Sequence, residues 1–381
     1  MSDDEFIDPE PWVAAKPEAI KGRGAVSNIV GRYETQRIEL VDDGWANYRD
    51  DTFIQPALKT CVTPELAKTI LSHNQSPDLP FSVSLNPYRG CEHGCIYCFA
   101  RPTHAYLGLS PGLDFETRLY AKTNAAELLR RELAHHSYAP SPIALGINTD
   151  AYQPCERELR ITRQCLEVLH ECRHPVGIIT KSALIERDID LLQDMAKANL
   201  IAAAVTITTL DHTIAGTLEP RAASPSRRLQ TVTKLAQAGI PVLVSVAPLI
   251  PFVTEQELEK VLKAAADAGA SAAGYTVLRL PWEVNPLFQQ WLQTHFPDRS
   301  QRVMNRIRDM RGGKDYDANF ATRMRGEGLW ADMIRQRFAK ALKRYGLDKS
   351  GRFAQLDCSQ FRKPLSIPAA KKTDGQMDIF D

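Results

Sequence analysis

Three cysteines, Cys91, Cys95 and Cys98, lie within the short stretch RGCEHGCIYCFA, and no fourth cysteine is near them. A disulfide joins two cysteines and a structural zinc ion takes four ligands, so three thiols leave one ligand position to another group. Gly90 and Gly94 let the backbone turn closely around a bulky inorganic core. Thiolates are the usual ligands of iron–sulfur clusters, which normally take four of them. The spacing therefore predicts a 4Fe–4S cluster in which one iron stays open to bind a small molecule.

A zinc site is the competing interpretation of the same stretch. His93 or His104 would complete a Cys3His ligand set with the three cysteines. Zinc ribbons, however, pair Cys-x2-Cys knuckles and seldom open a β/α barrel, so the spacing favours the cluster over zinc.

The 381-residue chain has an ordinary globular composition, with 44% hydrophobic residues, 24% charged residues and a formal net charge of +1. This length allows one large domain with extensions, or two domains, and the net charge indicates no class of partner. The acidic start MSDDEFIDPEPW resembles neither a signal peptide nor a transit peptide, and no run approaches the roughly 18 apolar residues of a membrane span. Eight cysteines without a secretion signal indicate a reducing compartment. We therefore expect a cytoplasmic protein that has no membrane partner.

Short apolar runs alternate with amphipathic helical stretches from about residue 81 onward. Strands that are apolar throughout and separated by helices are typical of a parallel sheet covered by helices. Six β/α repeats predict the α/β class, as a partial (β/α)6 barrel of the TIM type with its chemistry at the carboxyl ends of the strands. The cysteine stretch follows the first predicted strand directly and so lies at that end. The predicted strands are FSVSL (81–85), IALGINT (143–149), VGIIT (176–180), LIAAAVTITT (200–209), PVLVSVAPLI (241–250) and GYTVLRL (274–280).

Helices are predicted between these strands, and several end at Asn or Gly, as C-caps do. The helix that starts at Thr254 opens with Thr-x-x-Glu, which predicts a capping box. The predicted helices span 124–136, 156–173, 188–199, 225–239 and 254–269.

The barrel is predicted over residues 76–297, with extensions on both sides. Residues 1–75, rich in Pro, Gly and Asp, are predicted to be an N-terminal extension that wraps the main body. A basic helical C-terminal extension is predicted over 298–360, and a flexible tail over 361–381.

The basic charge is concentrated in residues 298–352, where fifteen Lys and Arg face seven Asp and Glu. This segment has a formal charge of +8, which leaves −7 for the remainder of the chain. Arginines with interleaved aromatics and a Gly–Gly turn suit a phosphate backbone, so we expect contact with DNA here. A solvated helical surface that balances the acidic remainder is the alternative.

The stretch CEHGCIYC matches the signature of the radical S-adenosylmethionine (SAM) superfamily, including the aromatic Tyr97 just before the third cysteine. This resemblance implies that the amino and carboxylate groups of SAM chelate the open iron, and that an electron from the reduced cluster cleaves the sulfonium. The resulting 5′-deoxyadenosyl radical abstracts a hydrogen atom from the substrate. The resemblance also implies a partial (β/α)6 barrel, and an electron donor such as flavodoxin or ferredoxin as a partner.

Longer stretches within residues 81–285 resemble the spore photoproduct lyase-like branch of this superfamily, often labelled DNA repair photolyase-like. In that branch aromatics lie on both sides of the third cysteine, as Tyr97 and Phe99 do here. The stretches that carry the resemblance are NPYRGCEHGCIYCFAR, RLYAKTN, TDAYQP, ITKSALIERDIDLL, VTITTLD and LEPRAASPSRRLQTVTKLAQAGIPV.

The resemblance implies SAM-binding roles for residues at the strand ends, beside Tyr97. Lys181, at the end of the third strand, would hold the SAM carboxylate, for which a solvated lysine is the alternative. One of Thr206 and Thr208 would meet the SAM ribose or amino acid moiety; otherwise both are ordinary strand residues.

Two further pairs of residues have structural alternatives to a role in binding. Asn148 and Asp150, after the second strand, occupy the place where other radical SAM enzymes hold the SAM ammonium, and capping of the turn explains them equally well. Glu219 and Arg221, in LEPRA, are predicted to form a salt bridge that shapes their loop.

The sequence departs from spore photoproduct lyase at one position. That enzyme carries, at the end of strand two, a cysteine that returns a hydrogen atom to the product radical, and the position falls at Asn148 here. Cys155, at the start of the next helix, and Tyr152 remain as candidate hydrogen donors. A helix N-terminus would lower the pKa of Cys155, and a partly buried thiol under the helix is the alternative. Thymine-dimer reversal therefore does not follow from the resemblance.

The C-terminal stretch GQMDIFD resembles the bacterial sliding-clamp-binding motif through Gln376, Met377, Ile379 and Phe380. A polar tail is where a docking peptide needs to lie. We expect the tail to bind the clamp, unless the short motif arose by chance.

Three functions follow as hypotheses. The first is a radical SAM enzyme that acts on DNA or another nucleic acid, as a repair-like lyase. The second is a radical SAM enzyme that modifies a protein or a small molecule, with the basic segment incidental. The third is a non-enzymatic adaptor associated with DNA or the sliding clamp, whose cluster is structural or senses redox state.

Overall fold

Six parallel strands form the centre of the fold, and a helical segment follows each of them. The computed structural model of the protein describes residues 19–33, 58–348 and 355–364. The strands are β1 (Cys61–Glu65), β2 (Leu71–His73), β3 (Val83–Leu85), β4 (Tyr88–Arg89), β5 (Arg118–Lys122), β6 (Ile143–Leu145), β7 (Val176–Thr180), β8 (Ile201–Thr206), β9 (Val242–Leu249) and β10 (Ala272–Val277). The α-helices are α1 (Leu113–Thr117), α2 (Ala125–Ala134), α3 (Glu156–Leu159), α4 (Ile161–Glu171), α5 (Ile189–Lys197), α6 (His212–Leu218), α7 (Pro225–Gln237), α8 (Leu258–Asp267), α9 (Val284–His295), α10 (Pro297–Asp309) and α11 (Gly328–Tyr345). Short 3-10 helices span Arg101–Leu107, Ala183–Asp188 and Glu255–Glu257.

The main sheet has the strand order β2-β3-β6-β7-β8-β9-β10, and every neighbouring pair from β3 to β10 is parallel. Of these seven strands, β2 is the antiparallel one, and it forms the edge beside β3. Each crossover contains a helix, because a tight turn cannot join two parallel strands. The predicted α/β class and the partial (β/α)6 barrel are confirmed.

Small side chains line one face of the central strands. In β8, Ala202 and Ala204 are partly exposed, whereas the neighbouring Ala203 and Val205 are buried. Strand β9 repeats the alternation, with Ser245 partly exposed between buried valines. Successive side chains of a strand point to opposite faces, and the buried face lies under the helices, so the small side chains face the barrel interior.

The single helix predicted over 156–173 is divided into α3 and α4. The break is at Arg160, which has a φ of 52°. The buried Glu156 carboxylate turns back to accept hydrogen bonds from the backbone N–H groups of Thr162 at 2.9 Å and Arg163 at 3.3 Å. Glu156 therefore caps the start of α4, which fixes the break.

The capping box predicted at Thr254 is wrong. Thr254 Oγ1 accepts a hydrogen bond from Ile250 N at 2.9 Å and donates to the Pro248 carbonyl oxygen at 3.2 Å. The hydroxyl thus holds the preceding turn instead of the helix, and the first turn of the predicted helix is a 3-10 helix before α8 begins.

Two short strands lie within residues 58–75, where the sequence shows only weak periodicity. Strand β1 pairs with β5 in a separate sheet of order β1-β5-β4, and β2 extends the barrel sheet. Both depend on partners from the barrel segment, so their own pattern does not reveal them. The domain boundaries stay predictions, and residues 1–18, 34–57 and 365–381 lie outside the described residues.

An ion pair joins the two edges of the main sheet. Asp78, in the loop after β2, accepts two hydrogen bonds of 2.6 Å from the Arg323 guanidinium, and both side chains are largely buried. Beside Arg323, the Met324 carbonyl oxygen accepts a hydrogen bond of 2.9 Å from Val277 N in β10. The segment around Arg323 therefore links the β10 edge to the β2 edge.

The basic helices pack on the outside of the barrel. Helix α11 is fixed to α8 by Arg337, which pairs with Glu259 at 2.7 Å. The buried Trp330 in α11 donates its indole N–H to Glu255 at 2.6 Å. Within the described ranges, no helix is both long enough and apolar enough to cross a membrane.

We expect the pair of Asp78 and Arg323 to stabilise the fold, because it is bidentate and largely out of water. In a double-mutant cycle with Asp78→Ala and Arg323→Ala, urea unfolding should give a coupling of about 1–3 kcal/mol. The exposed pair of Lys263 and Asp267 in α8 is the control, with an expected coupling of about 0.5 kcal/mol or less. Equal couplings for the two pairs would contradict this role.

Candidate active site

The three cysteines lie on one loop at the carboxyl end of β3. Cys91 and Cys95 are each 7% exposed, and Cys98 is half-buried. Burial raises the pKa of Cys95 to about 12; the charge of Lys181 opposes this effect, and Glu219 and Cys98 add to it. The Cys95 thiol is therefore close enough to Cys98 to feel its charge.

Two glycines allow this loop to turn. Gly90 has a φ of 73°, and a Cβ atom there would lie 2.8 Å from the His104 ring and 2.9 Å from the Phe115 carbonyl oxygen. Gly94 has a φ of 67°, and a Cβ atom there would lie 2.7 Å from a Glu116 carboxylate oxygen. Both the backbone angle and the crowding require glycine. Other parts of the protein crowd these two glycines. The prediction from the sequence is different, because it attributes the need for glycine to a bulky inorganic core.

Arg101 supports the cysteine loop. Its side chain is fully buried, and its guanidinium makes five hydrogen bonds. One goes to the buried Glu116 carboxylate at 2.5 Å. A guanidinium has five N–H donors in a rigid fork, so Arg101 satisfies all of them here. The other four acceptors are the carbonyl oxygens of Gly94, Cys95, Pro111 and Gly112, at 2.9–3.1 Å.

Glu116 connects residues 19–33 to the same loop. Besides the guanidinium, its carboxylate accepts hydrogen bonds from Gly24 N at 3.0 Å and Ala25 N at 2.8 Å. Gly24 packs so closely that a Cβ atom there would lie 1.9 Å from the Gly94 carbonyl oxygen. Residues 19–33 therefore pack directly against the cysteine loop.

The turn TDAYQP, after β6, holds the loop from another side. Thr149 Oγ1 donates to the Gly90 carbonyl oxygen at 2.7 Å, and Gln153 Nε2 donates to the same oxygen at 3.3 Å. Glu92 N donates in turn to Gln153 Oε1 at 2.9 Å. This turn therefore positions the residues on both sides of Cys91.

The Asp150 carboxylate is fully engaged by the protein. It accepts hydrogen bonds from Tyr152 N at 2.9 Å, Thr180 Oγ1 at 2.7 Å and Lys181 N at 2.7 Å, and it lies 3.2 Å from His93 Nδ1. Burial acts to raise the pKa of Asp150, but the His93 ring and these donors outweigh it, so the pKa is lowered. Asp150 thus caps its turn, and a contact with the SAM ammonium stays a prediction.

Two predicted SAM-binding residues have polar groups without a partner among the described residues. Asn148 is exposed, and its side-chain amide makes no hydrogen bond there. The Lys181 ammonium makes no hydrogen bond or ion pair with that part of the chain, and it lies 5.7 Å from the centroid of the Tyr97 ring. Burial acts to lower the pKa of Lys181, but the charges of Cys95 and Glu219 raise it. Lys181 is therefore a cation beside the cysteine loop that is free to bind an anion.

Glu219 is the centre of a buried network beside the loop. Its carboxylate accepts hydrogen bonds from the Tyr97 hydroxyl, from Thr208 Oγ1 at 2.5 Å and from the buried Arg228 guanidinium. Arg228 also donates to the Thr206 carbonyl oxygen at 3.0 Å. Burial acts to raise the pKa of Glu219, but the cations, Arg228 foremost, outweigh it and lower the pKa. The network fixes the Tyr97 ring next to the third cysteine.

The predicted salt bridge between Glu219 and Arg221 is wrong. Glu219 pairs with Arg228, and Arg221 pairs with Glu92 at 2.5 Å. The reason is that the first turns of α7 place Arg228 at the end of β8, while the backbone N–H of Arg221 donates to the His93 carbonyl oxygen at 3.3 Å. The two neighbours in LEPRA therefore hold different parts of the site.

The two threonines predicted to meet SAM differ in their surroundings. Thr208 lies beyond the end of β8, and its hydroxyl contacts Glu219 and the Ala247 carbonyl oxygen, the latter at 3.1 Å. Thr206 is 4% exposed, and its hydroxyl makes no hydrogen bond with the described residues. Thr206 is therefore the threonine whose hydroxyl remains available.

The two candidate hydrogen donors are buried to different degrees. Tyr152 is fully buried, with its hydroxyl near Asp188. A donor must touch the substrate, so this burial argues against Tyr152. Cys155 is half-buried, and burial raises its pKa to about 12, with the charges of Glu92 and Glu156 adding to the effect. The expected lowering of the Cys155 pKa is therefore wrong, and its role as a donor stays a prediction.

The two histidines weighed for a zinc site each contact another part of the protein. No three His, Cys, Asp or Glu side chains in the described ranges converge as the ligands of one metal ion would. His93 faces Asp150, and His104 Nε2 is hydrogen-bonded to the Arg118 carbonyl oxygen at 2.9 Å. Three thiols on one loop, beside a free ammonium, suit a larger inorganic group with one open position.

Sequence reasoning missed three buried charged residues that support the candidate site: Arg101, Glu116 and Arg228. Arg101 carries the one signal available, because it is a lone charge in the stretch YCFARP, between apolar neighbours. Such a charge needs a buried partner, but the partner cannot be read from the sequence. Arg228 stands beside Arg227 in a helical stretch, and only the fold distinguishes the buried Arg228 from the half-buried Arg227, which pairs with Glu186.

Arg101→Lys should destabilise the protein strongly, because lysine cannot reach five acceptors and leaves Glu116 poorly paired. We expect the free energy of unfolding to fall by about 3 kcal/mol or more. Urea unfolding measures this change. The exposed Arg118→Lys is the matched control and should change stability by less than about 0.5 kcal/mol. Similar effects of the two substitutions would contradict the role of Arg101.

Cys155 should react slowly with iodoacetamide between pH 7 and 9, because only the thiolate reacts and its raised pKa keeps it protonated. We expect its alkylation to be about 100-fold or more slower than that of the exposed Cys61. Mass spectrometry of the folded protein, sampled over time, measures both rates. Comparable rates would show an activated thiol at Cys155.

The comparisons with known proteins agree with this geometry. The model of the radical SAM superfamily matches residues 85–265. An uncharacterized protein of Mycobacterium tuberculosis is 34% identical over 272 residues, which cover 71% of this chain and 76% of that protein. An uncharacterized protein of Methanocaldococcus jannaschii is 27% identical over 173 residues, 45% of this chain and 62% of that protein. The solved structure of a cysteine-to-serine mutant of spore photoproduct lyase shares the fold, with a TM-score of 0.50 and 14% identity over 74% of this chain and 79% of that chain. With its three-cysteine loop at the carboxyl end of a partial barrel, this chain belongs to the radical SAM superfamily.

Proposed function

We propose that the protein is a radical SAM enzyme in which Cys91, Cys95 and Cys98 hold a 4Fe–4S cluster and Lys181 binds the SAM carboxylate. The observation that carries this proposal is the free Lys181 ammonium beside a buried loop of three thiols. Three thiolates leave one iron open, and a cation at the same strand end complements an anionic ligand.

When bound, the cluster and SAM supply a radical that takes a hydrogen atom from the substrate. The chain itself binds and orients the reactants. Ala202, Ala204 and Ser245 place small side chains on the face toward the barrel interior, and Thr206 offers a free hydroxyl for the ribose. The network of Glu219 keeps the Tyr97 ring in place. Burial of the loop limits access of water to this end of the barrel.

We propose DNA, or another nucleic acid, as the substrate of a repair-like lyase reaction. The basic segment supports this, because many of its cations have no carboxylate partner within the described residues. These include Arg299, Arg302, Lys340 and Lys343. Surface cations that form no ion pair with a carboxylate of the described residues are available to bind phosphates. Modification of a protein or a small molecule remains the alternative for an enzyme, and an adaptor with a structural cluster remains the alternative without catalysis.

Two partners belong to the same proposal. Reduction of the cluster needs an electron donor such as flavodoxin or ferredoxin, in a reducing compartment such as the cytoplasm. The clamp-binding residues Gln376, Met377, Ile379 and Phe380 lie outside the described residues, so clamp binding stays a prediction. A synthetic peptide that ends in QMDIFD tests it directly.

The protein, reconstituted anaerobically with iron and sulfide and then reduced, should cleave SAM to 5′-deoxyadenosine. Cys91→Ala should abolish this cleavage, because the cluster loses a ligand, whereas Cys61→Ala, in exposed β1, should retain it. Lys181→Ala should weaken SAM binding about 10–100-fold, because a charge-assisted hydrogen bond is lost. The exposed Lys197→Ala is its control. Chromatography of the products measures cleavage.

The same assay separates the candidate functions. Absence of SAM cleavage in a protein that carries the intact cluster would favour the adaptor. Faster cleavage in the presence of ultraviolet-irradiated DNA, and not of intact DNA, would support a repair substrate. No effect of either DNA would favour a protein or a small molecule.

A further inference from the structure

Two arginines lie together at the carboxyl end of β10. Arg279 follows the last residue of β10 by two positions, and Arg311 follows the last residue of α10 by two. Arg311 Nη2 donates to the Leu278 carbonyl oxygen at 2.8 Å, which brings its guanidinium next to the backbone of Arg279. Burial lowers the pKa of Arg311, and the charge of Arg279 lowers it further. The two positive charges therefore act on each other.

Neither guanidinium is fully satisfied by the described residues, although Arg311 Nη1 also donates to the Thr322 carbonyl oxygen at 3.4 Å. The Nε atoms of both arginines are buried and make no hydrogen bond in the described part of the chain. Arg279 Nη1 contacts the Met324 sulfur at 3.5 Å, and its guanidinium lies 5.7 Å from the centroid of the Phe99 ring. Arg311 is only 4% exposed. Burial of a charged donor without an acceptor costs free energy that a bound anion would offset.

Two carboxylates, Asp78 and Asp317, lie close enough for their charges to act on the arginine pair, but both are bound to other groups. Asp78 is held by the bidentate contact with Arg323. Asp317 accepts hydrogen bonds from Thr322 Oγ1 at 2.6 Å and from Asn319 N at 3.0 Å. Neither carboxylate makes an ion pair with Arg279 or Arg311 among the described residues, so the pair keeps its positive charge available.

The arginine pair lies beside the cysteine loop. Phe99, which contacts Arg279, follows Cys98 directly. Lys181 stands at the end of β7, and both β8 and β9 separate β7 from β10 in the sheet. An anion at the arginine pair is therefore a different group from the SAM carboxylate proposed at Lys181, and it lies near Phe99, the residue that follows Cys98.

We infer that Arg279 and Arg311 form a binding site for a phosphate group of the substrate. Each guanidinium is planar and carries paired N–H donors, which match the oxygens of a phosphate. The inference rests on the proposed function in one respect: the phosphate is assumed to belong to the substrate of the proposed enzyme. The backbone of a nucleic acid and a small phosphorylated molecule both carry the required group.

Binding to the full-length, cluster-containing protein tests this site without SAM or reductant. The probes are a fluorescein-labelled single-stranded DNA oligonucleotide, followed by anisotropy, and adenosine 5′-monophosphate, followed by titration calorimetry, both at fixed salt. Arg279→Gln should weaken binding of at least one probe about 10–100-fold. It is preferred over a change at Arg311, which also holds the backbone. The exposed Arg131→Gln, on α2 and outside the basic segment, removes the same charge and should weaken binding less than about 3-fold.

The outcomes distinguish the source of the phosphate. A selective loss of oligonucleotide binding in Arg279→Gln assigns the site to a nucleic acid backbone, and a selective loss of nucleotide binding assigns it to a small phosphorylated substrate. Equal binding by Arg279→Gln and Arg131→Gln overturns the site, as does the absence of binding of both probes to the unmodified protein. Because no step requires SAM cleavage, a failure of the proposed enzymatic function would leave these results unchanged.

Discussion

The buried pair of Arg101 and Glu116 is the interaction on which the functional end of this barrel depends. Neither side chain meets water, so protein atoms must satisfy every donor of the guanidinium and both carboxylate oxygens. Those atoms come from the cysteine loop, from the turn at Pro111 and Gly112, and from residues 19–33. One ion pair thus sets the position of three separate chain segments. The segment before the barrel belongs to the site in this sense, although it supplies no predicted ligand.

The charged side chains at this end of the barrel fall into two groups: those that are paired within the protein and those that are not. Glu219 with Arg228, and Asp150 with its donors, are satisfied by the protein and keep loops and rings in place. The ammonium of Lys181 is not satisfied in that way within the described residues. Because parallel strands present their carboxyl ends at one side of the sheet, an unsatisfied cation there faces arriving ligands. Unpaired charges at this end of the barrel therefore indicate what kind of ligand could bind, whereas paired charges hold the loops and rings in position.

The accuracy of the predictions follows from how local each signal is. Strand 176–180 is found over the residues predicted, because a short β-branched run between helices is informative on its own. The helix predicted over 156–173 is broken at Arg160, because the buried Glu156 carboxylate caps the start of a second helix. Strands β1 and β5 pass unnoticed because each is held by a partner far away in the chain. Elements that depend on distant partners are the ones that local patterns miss.

The sequence by itself predicted the class of chemistry, because the number and spacing of Cys91, Cys95 and Cys98 are typical of a cluster with an open position. It also determined the α/β barrel through the alternation of apolar runs and helices. Only the tertiary structure decided which charges are paired: Glu219 takes Arg228 instead of Arg221. The physical reason is that an ion pair depends on distance and burial in space. Neither quantity is contained in the order of residues along the chain.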